Sequence, residues 1–309
     1  MQPEKLFDLS RLKYTKSLFW LAVISVVGAL VLAALWILDP RELLGVSVWE
    51  KPLKFCVSSA IFSFTYSWLS SFITRGGRWV KLAGLIIAVS LSVELVLISA
   101  MAALGTTSHF NVSSPTAIVV WSLMATFISI VLFSTVFLSL MILFQKDQTF
   151  SLKLALALGS INTAVGMGLA YLMTWPSAAQ LANFQGIAGA HAVGVSDGGP
   201  GLPFLGWSTV AGDLRVGHFF GLHSIQVAAI LLAVSLLLPL AFRIPLITVG
   251  NITWLGFVGL VTWQSLRAEP FASPRALTLT GLVVLLSVAA LSFVLLVMAQ
   301  SRSKSKQAA

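Results

Sequence analysis

An all-α bundle of membrane-spanning helices is the fold class this sequence predicts, and three observations predict it. Of the 309 residues, 58% are hydrophobic and only 9% are charged, where a soluble domain carries roughly a quarter charged. Apolar runs of about 20 residues, the length that crosses a bilayer, recur at 18–38, 53–73, 82–104, 116–144, 152–175, 218–241, 245–263 and 277–299. Lipid cannot hydrogen-bond the backbone, so these runs are expected to be helices, and the alternating pattern of a membrane barrel is absent. The expected organisation is a basic arm at 1–17, one eight-helix domain at 18–299 and a basic tail at 300–309.

Charge orients the bundle. With the N-terminus inside, inner segments hold 13 bases against three acids, and outer segments hold six of each. The positive-inside rule then places both termini in the cytoplasm and the chain in a bacterial inner membrane. The net charge of +9 is therefore a topology and lipid-headgroup signal rather than a nucleic-acid footprint. A lone cysteine, Cys56, excludes an intrachain disulfide and a cysteine-based zinc cluster.

Taken in order, span 1 ends at Asp39-Pro40. Span 2 opens on Trp49-Glu50-Lys51-Pro52-Leu53-Lys54-Phe55, where Pro52 suits the first helical position and Glu50 and Lys54 form an i,i+4 pair. Lys51 and Lys54 are candidate contacts for lipid phosphates or for an anionic substrate. The hydroxyls Ser58, Ser59, Ser63, Thr65 and Ser67 favour close packing of this span.

Span 3 carries Glu94 near the bilayer midplane, where an ionised group costs roughly 2.5–3.5 kcal/mol on insertion scales. Its stripe, Ser90, Ile98 and Met101, is expected to face the bundle interior. Glu94 is a candidate proton or catalytic group, with Asn162 of span 5 a possible partner. His109 and Asn111 follow in a short outer loop, and Ser114-Pro115 reads as the cap and first turn of span 4. Gly159, Gly166 and Gly168 of span 5 are expected to admit a close neighbour.

The outer segment 176–217 is long, rich in Gly and Pro and weakly charged, as a lid or re-entrant element is. It contains His191 and ends at span 6, where Asp213, Arg215, His218, His223 and Gln226 crowd a water–lipid boundary. Spans 7 and 8 carry few polar groups and read as scaffold.

The stretches Lys51-Pro52-Leu53-Lys54-Phe55, Gly105-Thr106-Thr107-Ser108-His109-Phe110-Asn111, Asp197-Gly198-Gly199-Pro200-Gly201-Leu202-Pro203 and Asp213-Leu214-Arg215…His218-Phe219…Gly221-Leu222-His223…Gln226 resemble a family of uncharacterised bacterial multi-pass membrane proteins. The resemblance runs from span 2 to span 6. It implies a bacterial membrane location and no activity.

Three functions compete on the sequence. In the first, His109 and His223 ligate a haem, or His109, His218, His223 and Asp213 hold a zinc or iron ion, for redox or hydrolytic chemistry on a lipid-soluble substrate. Spacing limits this set: Asp213, His218 and His223 are five apart, about 140° out of phase on one helix. In the second, the chain is a proton-coupled small-solute transporter using Glu94, with Lys51, Lys54, Asn111, His191 and Gln226 touching the substrate. In the third, a non-catalytic assembly or sensory protein, Asp213 caps span 6, Arg215 pairs with it or with Asp197, and the histidines hydrogen-bond loop carbonyls. The soluble-enzyme motifs GxSxG, HExxH, CxxC and the phosphate loop are absent.

Overall fold

The computed structural model describes residue 6 and residues 8–308, with side chains through residue 300. Residues 1–5 and 7 of the expected basic arm and most side chains of the expected tail lie outside the described residues. Helices form at all eight expected positions: α1 (Lys16–Leu38), α2 (Glu50–Ser70), α3 (Gly77–Ala103), α4 (Pro115–Leu143), α5 (Phe150–Gly168), a short α6 (Ala178–Ala182), the pair α7 (Arg215–Leu222) and α8 (Ser224–Leu236), α9 (Leu240–Leu266) and α10 (Ala276–Ala308). Six stretches are long and apolar enough to cross a membrane: α1, α3, α4, residues 150–182, α9 and α10 through Gln300. The α7–α8 pair makes a seventh if counted as one span.

Two expected spans therefore differ from plain hydrophobic helices. Span 6 breaks at His223, where α7 and α8 meet at a 41° bend. The bend overturns the face assignment that treated 213–226 as one helix. Helix α2 is polar for its 21 residues, since it opens on Glu50, Lys51 and Lys54 and carries a run of hydroxyls. Ser59, Ser63, Ser67 and Ser70 are buried, whereas Ser58 is exposed and Thr65 partly buried.

Local chemistry ends each helix. Asp39 closes α1, accepting from the Arg41 guanidinium at 2.7–3.1 Å and from Trp49 Nε1 at 2.8 Å. A two-residue hairpin, β1 (Glu42–Leu43) and β2 (Val46–Ser47), then turns through Leu44 and Gly45, both at positive φ. Pro52 occupies the third position of α2, not the first, where its missing N–H still breaks no intrahelical bond. Gly76, at φ +86°, starts α3. The Ser114 hydroxyl accepts from Ala117 N–H and Pro115 is the first residue of α4, as the sequence predicts.

The loops sort to two ends. At one, the N-terminal segment is stitched to α2: Trp68 Nε1 donates to the Leu6 carbonyl and Thr15 N–H donates to Ser67 Oγ. Gln145 there accepts from the Thr74 and Arg75 N–H groups, tying the α4–α5 turn to the α2–α3 turn. At the other end the loop-rich connections converge. Ala188 N–H donates to the Phe110 carbonyl, β3 (Ala192–Val193) pairs with β4 (Gly212–Asp213), and Gly198 rests on Leu44.

The core is polarised along the same axis. One large apolar cluster, including Leu18, Tyr66, Phe72, Ile87, Leu138 and Leu152, fills the half toward the Gln145 end. The loop-rich half holds only small separate clusters around Trp49, Phe110 and Trp207. Between those clusters lie the polar groups.

Candidate functional site

Glu94 sits on α3 with its expected stripe, Ser90, Ile98 and Met101, and all four are buried. The residue is 3% exposed, and its Oε1 makes no hydrogen bond. Asn162 is not its partner, because the Asn162 amide donates to the Asn251 carbonyl on α9 at 3.0 Å. The charged group that faces Glu94 is Lys51, at the loop-rich end of α2. The two are not an ion pair within 4 Å, and the Lys51 ammonium makes no hydrogen bond among the described residues.

Around Lys51 lie Arg215, Lys54, Asp197, His109 and His191. Each of these side chains is partly buried in the loop-rich half. Most of these groups are already paired. Lys54 Nζ contacts Glu50 Oε1 at 2.6 Å and the Phe204 carbonyl at 2.9 Å. Arg215 grips Asp213 with two guanidinium nitrogens, at 2.9 and 2.6 Å.

Asp213 is saturated. It also accepts the Arg215 and Ser208 N–H groups, and its carboxylate is fully buried. Four donors use the lone pairs that a metal ligand would need, so the expected role of Asp213 as a ligand gives way to that of an anchor for the loop and the start of α7. Arg215 also donates to the Gly206 carbonyl.

The histidines part company. His109 stands in an aromatic cage of Phe55, Phe110 and Trp121, with ring centroids 5.4–6.1 Å away, and its Nδ1 meets Ser108 Oγ at 3.0 Å. Burial, then the nearby Lys51 and His191, hold this imidazole well below its ordinary pKa, so it is neutral. His191 lies across Phe110 from it, 4.9 Å from that ring. His218 Nδ1 is held by the Gly166 carbonyl at 2.8 Å. His223 leans on Phe219 at the helix break, beside Gln226.

Among the described residues no three His, Cys, Asp or Glu side chains are placed to hold one metal ion. The proposed zinc or iron set of His109, His218, His223 and Asp213 is thus not assembled. Lys51 and His191 are the charged or titratable groups that act on the His109 ring. Asn111 Oδ1 accepts from Ser113 and its amide donates to Thr106 Oγ1. Gln226 donates to Thr65 on α2 at 2.9 Å.

Asp197 is the site residue that sequence reasoning passed over as a binding group. It accepts from the His191 and Ala192 N–H groups and from His191 Nδ1 at 2.7 Å. Burial alone would raise its pKa, but the His191 ring and these two amides outweigh burial and hold the carboxylate well below the usual range. The Asp-Gly-Gly-Pro run after it signals a tight turn, which was the only sequence hint.

No family model, curated protein or solved structure matches this chain.

Proposed function

We propose that the protein is a proton-coupled carrier of a small solute, in which Glu94 takes up and releases the transported proton. A single observation carries this reading: a carboxyl group nine-tenths buried, on a helix apolar enough to span a bilayer, with Oε1 unbonded among the described residues. A buried ionisable group without a partner is costly and marks a functional position in a membrane domain. In this reading the polar groups of the loop-rich half supply the solute site. In this reading the chain crosses a bacterial inner membrane eight times with both termini cytoplasmic, in line with the bases Arg75, Arg78, Lys81, Lys146 and Lys153 at one end.

The test uses purified full-length protein in liposomes loaded with a pH-sensitive dye. A panel of L-lactate, succinate, phosphate, alanine and choline is added outside. Internal acidification by at least one of them, lost in Glu94→Gln, is the expected result. No solute-dependent proton flux above empty liposomes overturns the proposal. A haem Soret band or stoichiometric zinc or iron in the purified protein would revive the metal reading instead.

A further inference from the structure

We propose that the groove between α8, α9 and α10 binds one anionic phospholipid, with an acyl chain in the groove and the headgroup phosphate on Arg243. The site is separate from Glu94 and does not depend on the carrier reading.

Small residues set the three helices around the groove. Helix α10 leans on α9 where Leu285 lies over Gly256 and Leu260 over Gly281, and α8 meets α9 where Leu231 lies over Gly250. Between these contacts is a cavity of about 530 Å³, inside the range of roughly 300–1,000 Å³ that holds a small molecule. Its walls include Val227 and Leu231 of α8, Leu246 and Phe257 of α9, and Leu282 and Phe293 of α10. Thr253 supplies the one hydroxyl on the walls, and the Trp254 indole N–H is spent on the Phe220 carbonyl and Ser224 Oγ. Such a lining disfavours a polar solute, which would lose its hydrogen bonds, and accepts a hydrocarbon chain. From Leu246 to Phe257 the groove runs about 16 Å at roughly 1.5 Å per residue. That is about half of a ~30 Å hydrocarbon core, the depth of one leaflet.

The Gln145 end of the groove carries a charge that the chain leaves unmatched. Arg243 shares the stripe of Leu246, Gly250 and Phe257 on α9, and Phe242 beside it meets Phe293 with ring centroids 6.2 Å apart. The guanidinium reaches the end of α8, where Nε donates to the Leu238 carbonyl at 3.1 Å and Nη2 to the Leu236 carbonyl at 3.3 Å. It therefore stands at the mouth of the groove, between two of the helices that line it.

Those carbonyls carry no counter-charge, and no acid is at hand. Residues 214–268 and 276–309 contain neither Asp nor Glu. Asp8 and Asp147, at the same end of the bundle, are turned to Ser10 and Thr74. The counter-charge must come from outside the chain. A phosphodiester at headgroup depth supplies it, as basic groups between membrane helices do for anionic lipids, and its chain enters the groove beside Phe242 and Phe293. A second copy packed here by two-fold symmetry would present the same arginine, a like charge instead of a counter-charge.

The experiment is native mass spectrometry and thermal unfolding of delipidated full-length protein in detergent. It is titrated with dioleoyl phosphatidylglycerol, dioleoyl phosphatidylcholine or inorganic phosphate. Wild type should retain one phosphatidylglycerol and unfold at a higher temperature with it, should bind phosphatidylcholine more weakly, and should not respond to phosphate. Arg243→Gln should weaken phosphatidylglycerol about fivefold, the worth of one basic residue at an anionic surface, and so erase the preference. Ala290→Trp, at an exposed position on the groove wall, should block both lipids while its unfolding without lipid stays as in wild type. Equal binding of the two lipids by wild type, an unchanged preference in Arg243→Gln, or equal stabilisation by phosphate alone overturns the proposal. If Arg243→Gln fails to fold, undiminished lipid binding in Ala290→Trp still overturns it. So does a lipid-free dimer that Ala290→Trp dissociates, since a second copy then fills the groove.

Discussion

Gly166 of α5 and Gly221 of α7 lie backbone against backbone, and a Cβ on either would overlap main-chain atoms of the other. This crossing seats the start of α7, and with it His218, whose Nδ1 meets the Gly166 carbonyl. Of the span 5 glycines expected to admit a close neighbour, Gly159 and Gly166 do and Gly168 does not.

Gly166→Ala should therefore push α5 and α7 apart, costing about 1–3 kcal/mol or more as overpacking does. Gly168→Ala is the control, because nothing lies within 4 Å of the added methyl. It should be neutral or stabilise by about 0.4–1 kcal/mol. Thermal unfolding in detergent separates the two.

Asp213→Ala and Arg215→Ala test the buried anchor. Removing one partner of a buried ion pair strands the other and costs about 3–5 kcal/mol. Arg215→Lys should not rescue, since a lysine cannot reproduce the two-nitrogen grip on the carboxylate. A melting temperature of Arg215→Ala within a degree of wild type would show that the pair anchors nothing.

Lys54→Met should loosen the loop it holds. Phe204 adopts a left-handed φ of 61°, a conformation that costs energy outside glycine, and Lys54 bonds its carbonyl. Limited proteolysis should cut near residues 200–207 faster in the variant, with the transmembrane helices unaffected.

Acid should destabilise the loop-rich end in two steps. His109 and His191 have folded pKa values below the ordinary 6.5, both chiefly through burial. The unfolded chain therefore binds more protons as pH falls below about 6.5, and stability falls with it. Asp197, also lowered, adds a second loss below its ordinary 3.8. The expected signature is a melting temperature that drops from pH 7 to pH 5, with a shallower slope in His191→Gln. An equal slope in that variant would remove His191 from the account.

Short-range chemistry accounts for what was legible in the chain. The Glu94 stripe follows from the 3.6-residue period, and the Ser114-Pro115 cap and the Glu50–Lys54 pair involve neighbours within one helical turn. The hairpin at Leu44-Gly45 escaped notice because its first turn residue is a leucine, which rarely adopts positive φ. The bend at His223 was not fixed by the sequence, because the polar residues at 213–226 mark a boundary but their spacing does not say where one helix yields to another.

The sequence by itself determined the class of object, the positions of the helices and a polar boundary at 213–226, because hydrophobic length and helical period are local properties. Only the tertiary structure decided which polar groups meet. It set His109 and His191 against the same Phe110 ring, closed Asp213 onto Arg215, and left Glu94 Oε1 without a hydrogen bond among the described residues. Those contacts join residues that are many positions apart, and their choice depends on how the loop 176–217 folds back over the bundle. Backbone donors such as Ser208 and Ala192 claim the carboxylates there, and no spacing rule reveals that competition.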